Sequence, residues 1–351
     1  MKAYVLHKIG DFSCEEIERP VPKAGEVLVH VKAAGICGSD IPRVFETGAH
    51  VHPLVLGHEF SGQVVELGPE ASASWQGKRV GIFPLIPCGE CEPCQQKRFE
   101  LCENYSYLGS RCNGGFAEYV CVPEKNLIEL PENVTYQEAA MMEPMAVSVH
   151  AMRRTNVSSD ESVVVFGLGT IGLLLTMFLL ERGIKNIYVV GNKEFQKEKA
   201  MSLGVTEEDY CNSKEISVRD WIFEKTSGKG VDVFFECVGK NEVVETAIAC
   251  TKAMGRVMLV GNPYSDMIFD KQVYWRILRK QLTVLGTWNS SFLHEKDDDW
   301  NYVLQRLAEK TVNPTSFITH RYTWDNFYEG FLVMRDKREN YCKVICEDTE
   351  E

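Results

Sequence analysis

The densest chemistry in the 351-residue chain lies in the run Cys88-x2-Cys91-x2-Cys94-x7-Cys102, four thiols within fifteen residues. Tetrahedral Zn²⁺ accepts four thiolates at about 2.3 Å, and a site closed by four sulfurs has no position left for substrate. The spacing predicts a structural zinc that pins a loop too poor in apolar residues to fold alone. Free thiols and an iron–sulfur cluster are the competing readings. The spacing departs from ferredoxin runs, and Glu103 stands where a proline would follow the fourth cysteine. Cys112 and Cys121 read as ordinary thiols.

A second set of donors is scattered: Cys37 in Gly35-Ile36-Cys37-Gly38-Ser39-Asp40, His58-Glu59 after Gly57, and Glu143 before Pro144. Singly, each has a plain structural reading, since a lone cysteine is usually a small core residue and a His-Glu pair is usually a loop feature. Together, a thiolate, an imidazole and a carboxylate suit a zinc ion with one position open for water or a substrate oxygen. Residue types alone do not establish that the three meet.

The third feature is Gly167-Leu168-Gly169-Thr170-Ile171-Gly172, which follows the apolar stretch Val163-Val164-Val165-Phe166 and opens an apolar segment from Ile171 to Leu180. Strand, glycine turn and helix in that order predict a pyrophosphate site. The glycines allow a tight turn and close approach, and the helix N-terminus supplies oriented N–H groups. The next apolar strand, ending at Val190, should be followed by an acidic residue if the adenosine ribose has a free 2′-hydroxyl. It runs instead into Gly191-Asn192-Lys193. Without the carboxylate and with a cation two residues on, NADP is the expected cofactor and NAD the alternative. Glu194 reaching the ribose, or Lys193 facing solvent, would favour NAD.

These residues need elements to hold them. Up to about residue 150 the chain is rich in β-branched runs broken by Gly and Pro, such as Glu26–Val31 and Gly62–Leu67, the pattern of short antiparallel strands. From Ser162 apolar strands at 163–166, 186–190, 231–236 and 256–260 alternate with helical stretches at 171–180, 195–203 and 242–252. Such alternation predicts a parallel sheet covered on both faces. After about Thr287 the chain turns polar and mixed, and its acidic run Glu295–Asp299 reads as solvated surface. A length of 351 residues exceeds what one core supports, so two domains are expected, and 44% hydrophobic residues suffice for both. A net charge of −12 argues against a partner recognised through nucleic-acid phosphates. No apolar run approaches the ~18 residues of a membrane span, and no signal peptide opens the chain. Thirteen cysteines, five of them between residues 88 and 112, favour metal over disulfides and a cytoplasmic setting.

Taken in order, Gly35–Asp40, Gly57-His58-Glu59, the four-cysteine run, Gly114-Gly115-Phe116-Ala117-Glu118-Tyr119, Glu143-Pro144 and the glycine turn resemble the zinc-containing medium-chain dehydrogenase family over nearly the whole chain. The resemblance implies a GroES-like β-rich catalytic domain from both chain ends (1–152 and 289–351) with a doubly wound α/β Rossmann domain inserted at 153–288. It implies a catalytic zinc held by Cys37, His58 and a carboxylate, Glu59 or Glu143, hence two zinc ions per chain. It also implies a role for Ser39 as first acceptor of the substrate proton, and for Asp40 as partner of His58. Glutamate at 143 points to the polyol branch, and Cys37–Arg43, Thr47–His50 and Leu108–Arg111 resemble a sugar-alcohol phosphate enzyme within it. Arg43, His50 and Arg111 are then candidates to bind phosphate, since a guanidinium fork matches phosphate oxygens. The family further implies a homodimer or homotetramer; the apolar segment Ala253–Val260, read as lying near the sheet edge, is a candidate for a strand-to-strand contact. Trp288 is a candidate to line the substrate pocket or to pack in a core. Two rivals stand beside this expectation: oxidation of a free polyol or other secondary alcohol, and a non-catalytic zinc- or dinucleotide-binding protein.

Overall fold

The computed structural model describes residues 1–348; the last three residues of the range expected for the catalytic domain lie outside it. The chain divides into two compact units, one made of Met1–Pro144 together with the segment from Ser291 onward, the other of Met145–Ser290. The division falls inside the helix Met142–Thr155.

In the first unit, Glu26–Gly35 is the central strand, buried along most of its length. It pairs antiparallel with Glu59–Leu67, with Tyr119–Pro123 and, from the far end of the chain, with Lys343–Glu347. The expectation of antiparallel strands up to about residue 150 holds; further along, Ile318–Tyr322 runs parallel to Lys343–Glu347. A smaller antiparallel sheet joins Asp11–Glu16, Lys2–Lys8 and Leu54–Val55. Between the sheets Tyr4, Phe12, Phe116, Phe327 and Phe331 form a buried aromatic cluster with mostly edge-to-face contacts, for example Phe116–Phe327 at 5.1 Å.

The second unit is a six-stranded sheet, parallel throughout, in the order Tyr210–Asn212, Asn186–Gly191, Ser162–Phe166, Val231–Glu236, Thr251–Leu259, Thr283–Gly286. Val163, Val164 and Val165 are fully buried because strands and helices cover them on every side. Strand order reverses at Ser162–Phe166, and ligands of doubly wound sheets bind beyond the carboxyl ends of strands at such a switch point.

Three expectations are corrected. The segment Ala253–Val260 is not at the sheet edge: Thr251–Leu259 pairs on both sides, and the edge strand is Thr283–Gly286. That inner strand begins five residues before Arg256, with Met254 at φ 63° where the register jumps from Val231–Thr251 to Val233–Arg256, an irregularity that hides the start of the strand from a periodicity reading. The acidic run is only half solvated. Glu295, Lys296 and Asp297 are exposed, but Asp298 and Asp299 are buried because they serve as hydrogen-bond acceptors for backbone. Asp298 caps the helix Asp299–Ala308 through the N–H of Asn301, and Asp299 accepts from the N–H and hydroxyl of Ser291. Trp288 is 51% exposed and packs in no core. Among the described residues no helix is long and apolar enough to cross a membrane.

Candidate active site

The four-cysteine run forms a lobe with two short helical turns, Glu92–Gln95 and Phe99–Leu101. Its sulfurs converge: Cys88–Cys94 at 4.0 Å, Cys91–Cys102 at 3.8 Å and Cys88–Cys102 at 3.5 Å. Four sulfurs bonded to one tetrahedral zinc at 2.3 Å would stand about 3.8 Å apart, so the lobe fits that ion. The N–H groups of Glu90 and Cys91 pull the Cys88 thiol down to about 6, whereas burial pushes Cys94 up to about 12. The backbone thus prepares one thiolate, and a metal would be needed to hold the other charges.

The scattered donors also meet. Cys37 follows the central strand, Glu59 opens the strand beside it, and His58 precedes Glu59; their donor atoms all lie within 4.8 Å of one another. The pairing Gly35–Glu59 brings the two strands together, and a Cβ on Gly35 would stand 2.7 Å from Glu59 Oε2 and 2.8 Å from Lys343 Cε. Only glycine leaves room there for the buried Glu59–Lys343 ion pair. Asp40 is fully buried; its Oδ2 accepts from Cys37 N–H at 3.0 Å, and its Oδ1 lies 3.6 Å from His58 Nδ1. That last separation is too long for a hydrogen bond, and Nδ1 has no other partner. Burial works against a charged His58 ring, but Asp40 and Cys37 outweigh it and raise it to about 10. A buried cluster that binds a proton so tightly, and leaves an imidazole nitrogen without a hydrogen bond, is suited to a cation. The donor set of sulfur, nitrogen and carboxylate oxygen fits zinc.

Glu143, in the first turn of Met142–Thr155, stands apart from that donor group and accepts from Tyr107 Oη at 3.1 Å. Burial raises its carboxyl above the ordinary range, and Glu59 adds to the effect against His58. Burial and then Glu143 push Tyr107 well above its ordinary range, and its ring meets His58 edge-on at 5.8 Å. Lys343 and Tyr107 are site residues that sequence reading missed. Lys343 sits in a short strand nearly three hundred residues from Glu59, and nothing local to it signals a buried charge.

Arg43 joins the cluster: its Nη1 donates to Ser39 Oγ at 3.2 Å and Asp40 Oδ1 at 3.0 Å, and Ser39 Oγ donates to Cys37 Sγ at 3.3 Å. His50 is exposed, and Arg111 is exposed and stacks over the Tyr105 ring at 4.4 Å. No hydrogen bond or ion pair among the described residues ties either to the Cys37 cluster.

In the parallel-sheet unit the glycine turn lies where its spacing predicts, between the strand Ser162–Phe166 and the helix Thr170–Glu181. A Cβ on Gly172 would meet the Gly167 carbonyl oxygen at 1.9 Å, so that position admits no side chain; above Gly169, the helix N-cap, the space is open. Gly167 and Gly169 line a cleft of about 600 Å³ with Gly191, Asn192, Gln196, Ser213, Arg219 and Lys240. Gln196 Oε1 accepts from Asn192 N–H at 3.0 Å and, with Tyr210 Oη, stands 3.0 Å from where a Cβ of residue 191 would be. Lys193, the N-cap of the helix Glu194–Ser202, is not part of the cleft wall. The cations lining it are Arg219 and Lys240.

A β-rich unit with a cluster of zinc donors and a Rossmann unit with a phosphate-binding turn define a metal-dependent nicotinamide dehydrogenase. The comparisons agree. Residues 23–132 match the alcohol dehydrogenase GroES-like domain and residues 170–309 the zinc-binding dehydrogenase model. The chain is 31% identical over 316 residues to galactitol 1-phosphate 5-dehydrogenase of Escherichia coli K12, covering 90% of this chain and 91% of that one. It is 34% identical over 342 residues to sorbitol dehydrogenase of Halalkalibacterium halodurans, covering 94% and 96%. The crystal structure of galactitol-1-phosphate dehydrogenase from Escherichia coli aligns with a TM-score of 0.92 and 30% identity over 99% of this chain and 100% of that chain. The chain belongs to the zinc-containing medium-chain dehydrogenase family, and is an oxidoreductase of its alcohol and polyol dehydrogenases.

Proposed function

We propose that this enzyme oxidises a secondary hydroxyl of a sugar-alcohol phosphate, of the galactitol 1-phosphate type, with NADP as the preferred hydride acceptor. Two zinc ions serve each chain, one in the cysteine lobe and one held by Cys37, His58 and Glu59. The enzyme acts in the cytoplasm as a homodimer or homotetramer; the free edge strand Thr283–Gly286, with Val284 exposed, supports assembly.

The observation that carries the phosphate reading is Arg43. One of its nitrogens is anchored beside the Cys37 thiol, and its other edge has no partner among the described residues. A guanidinium so placed fits an anionic group on the same small molecule whose hydroxyl reaches Cys37. His50 and Arg111 are weaker candidates, exposed and outside the hydrogen-bonded cluster.

Zinc at this site would supply a Lewis acid that eases loss of the hydroxyl proton. The chain's own residues do the rest. Ser39 Oγ, 3.3 Å from Cys37 Sγ and partly exposed, is placed to relay that proton, giving up its own hydroxyl hydrogen to solvent as it accepts. Asp40, anchored by Cys37 N–H and Arg43, faces His58 Nδ1 at 3.6 Å and acts on the ring through its charge rather than through a hydrogen bond. Lys343 neutralises Glu59, and Tyr107 holds Glu143 nearby as an alternative carboxylate donor. In the Rossmann unit Gly167, Gly169, Thr170, Ile171 and Gly172 receive the pyrophosphate, and Gly191 and Asn192 lie at the ribose end; the exposed Lys193 stands outside the cleft wall, whose cations are Arg219 and Lys240. The missing carboxylate at 191 supports NADP.

Initial rates at equal, subsaturating NAD and NADP should favour NADP by roughly tenfold, the size of one charge-assisted hydrogen bond to the 2′-phosphate; a clear advantage for NAD would overturn that part. With both nucleotides, a panel of polyols and polyol phosphates tests the substrate. The likeness to a sorbitol dehydrogenase favours a second reading, oxidation of a free polyol, which predicts equally good turnover without phosphate.

A further inference from the structure

Arg43 reaches the Cys37 cluster from the turn that follows Asp40–Pro42. Its Nη1 bridges Ser39 Oγ at 3.2 Å and Asp40 Oδ1 at 3.0 Å, so a single nitrogen spans the hydroxyl beside the thiol and the buried carboxylate facing His58. Its Nε and Nη2 donate to no described residue, and the side chain keeps 23% exposure, which leaves that edge of the fork open. Arg43 begins a single turn, Arg43–Thr47, in which only Val44 is buried, so the guanidinium's position rests on those two hydrogen bonds. The group is planar and its donors point in fixed directions. Whatever grips the open edge therefore also sets the direction of Nη1.

We propose that Arg43 is a positioning residue through which the substrate's phosphate activates proton transfer. A phosphate dianion bound across Nε and Nη2 stops rotation of the guanidinium. Through Nη1 it then holds Ser39 with a lone pair free for the departing proton, while the serine passes its own hydroxyl hydrogen to solvent and remains neutral, and it holds Asp40 facing His58. No bond is made or broken at Arg43; it keeps its proton throughout. Binding energy from the non-reacting end of the substrate is spent on alignment at the reacting end, so phosphate raises kcat rather than only lowering KM. This rests on the polyol-phosphate reading above.

The test is activation in trans. Steady-state oxidation of a free hexitol by the zinc-loaded enzyme is measured with and without phosphite dianion, which mimics the missing phosphate. Phosphite should raise kcat/KM for the free hexitol by roughly tenfold, as one charge-assisted contact would. Arg43→Met should abolish the activation, and Arg43→Lys, with its charge but without the plane, should keep a low KM for the phosphorylated substrate while losing kcat. Independently of turnover, inorganic phosphate should raise the Tm of the wild type and leave that of the Met variant unmoved, far-UV circular dichroism having shown both folded. If the enzyme prefers the phosphorylated polyol through KM alone and phosphite does nothing, the coupling is overturned while the substrate reading stands. If phosphorylation brings no preference at all, both fall.

Discussion

Replacing Cys37 by Ser is expected to lower kcat/KM for alcohol oxidation by about a thousandfold while leaving the fold in place. The magnitude follows from the several kcal/mol by which a bound metal stabilises developing charge on oxygen, at about 1.4 kcal/mol for each tenfold. A serine hydroxyl in place of the thiolate removes one of three converging donors and one of the negative charges that raise His58. The fold should survive because the Cys37 backbone is held without its side chain, its N–H donating to Asp40 Oδ2 and its carbonyl accepting from Asp40 N–H, each at 3.0 Å. Metal analysis should show the zinc content falling from two equivalents to one, with unchanged circular dichroism. A fall in kcat/KM of less than tenfold, with two equivalents retained, would exclude Cys37 as a ligand.

Cys94→Ser should act on stability instead. Between residues 88 and 102 only Cys94, Glu100 and Cys102 are buried, and the longest helical turn is the four-residue Glu92–Gln95. So little apolar burial cannot hold a fifteen-residue loop, whereas structural zinc contributes about 10 kcal/mol or more to small peptide domains. The variant should lose one zinc equivalent, and trypsin should cut the lobe at Lys97 or Arg98 at least about a hundredfold faster, as expected when several kcal/mol of local stability are lost. Lys97 and Arg98 are already exposed, paired with Glu295 and Glu100, so faster cutting would report loosening of the backbone around them rather than newly exposed side chains. An unchanged cleavage rate would show that the lobe holds together without metal.

The contrast between these two variants follows the contrast in how the sites are encoded. The cysteine lobe and the glycine turn are legible in the sequence because their parts are contiguous. Four thiols in fifteen residues cannot avoid one another, and a turn that places Gly172 against the Gly167 carbonyl is built from six consecutive residues. Strand and helix alternation likewise reveals the parallel sheet, because burial on both faces leaves an uninterrupted apolar run such as Val163-Val164-Val165.

Elements that break the pattern escape such a reading: the irregular start of Thr251–Leu259, and Asp298 and Asp299, whose carboxylates are buried as hydrogen-bond acceptors although their type suggests solvent. A buried acid differs from an exposed one only in what surrounds it, and its surroundings come from residues elsewhere in the chain. The same holds at the candidate catalytic centre. Cys37, His58 and Glu59 can be named from the sequence only through a family likeness. Their convergence, the ion pair of Glu59 with Lys343 and the hydrogen bond from Tyr107 to Glu143 depend on sheet register. The strand Lys343–Glu347 crosses the whole length of the chain to pair with Glu26–Gly35, and Glu59 enters the same sheet on the other side of that strand. Local order can be read along the chain because its energetics are local. Which charge meets which is decided only when distant strands align.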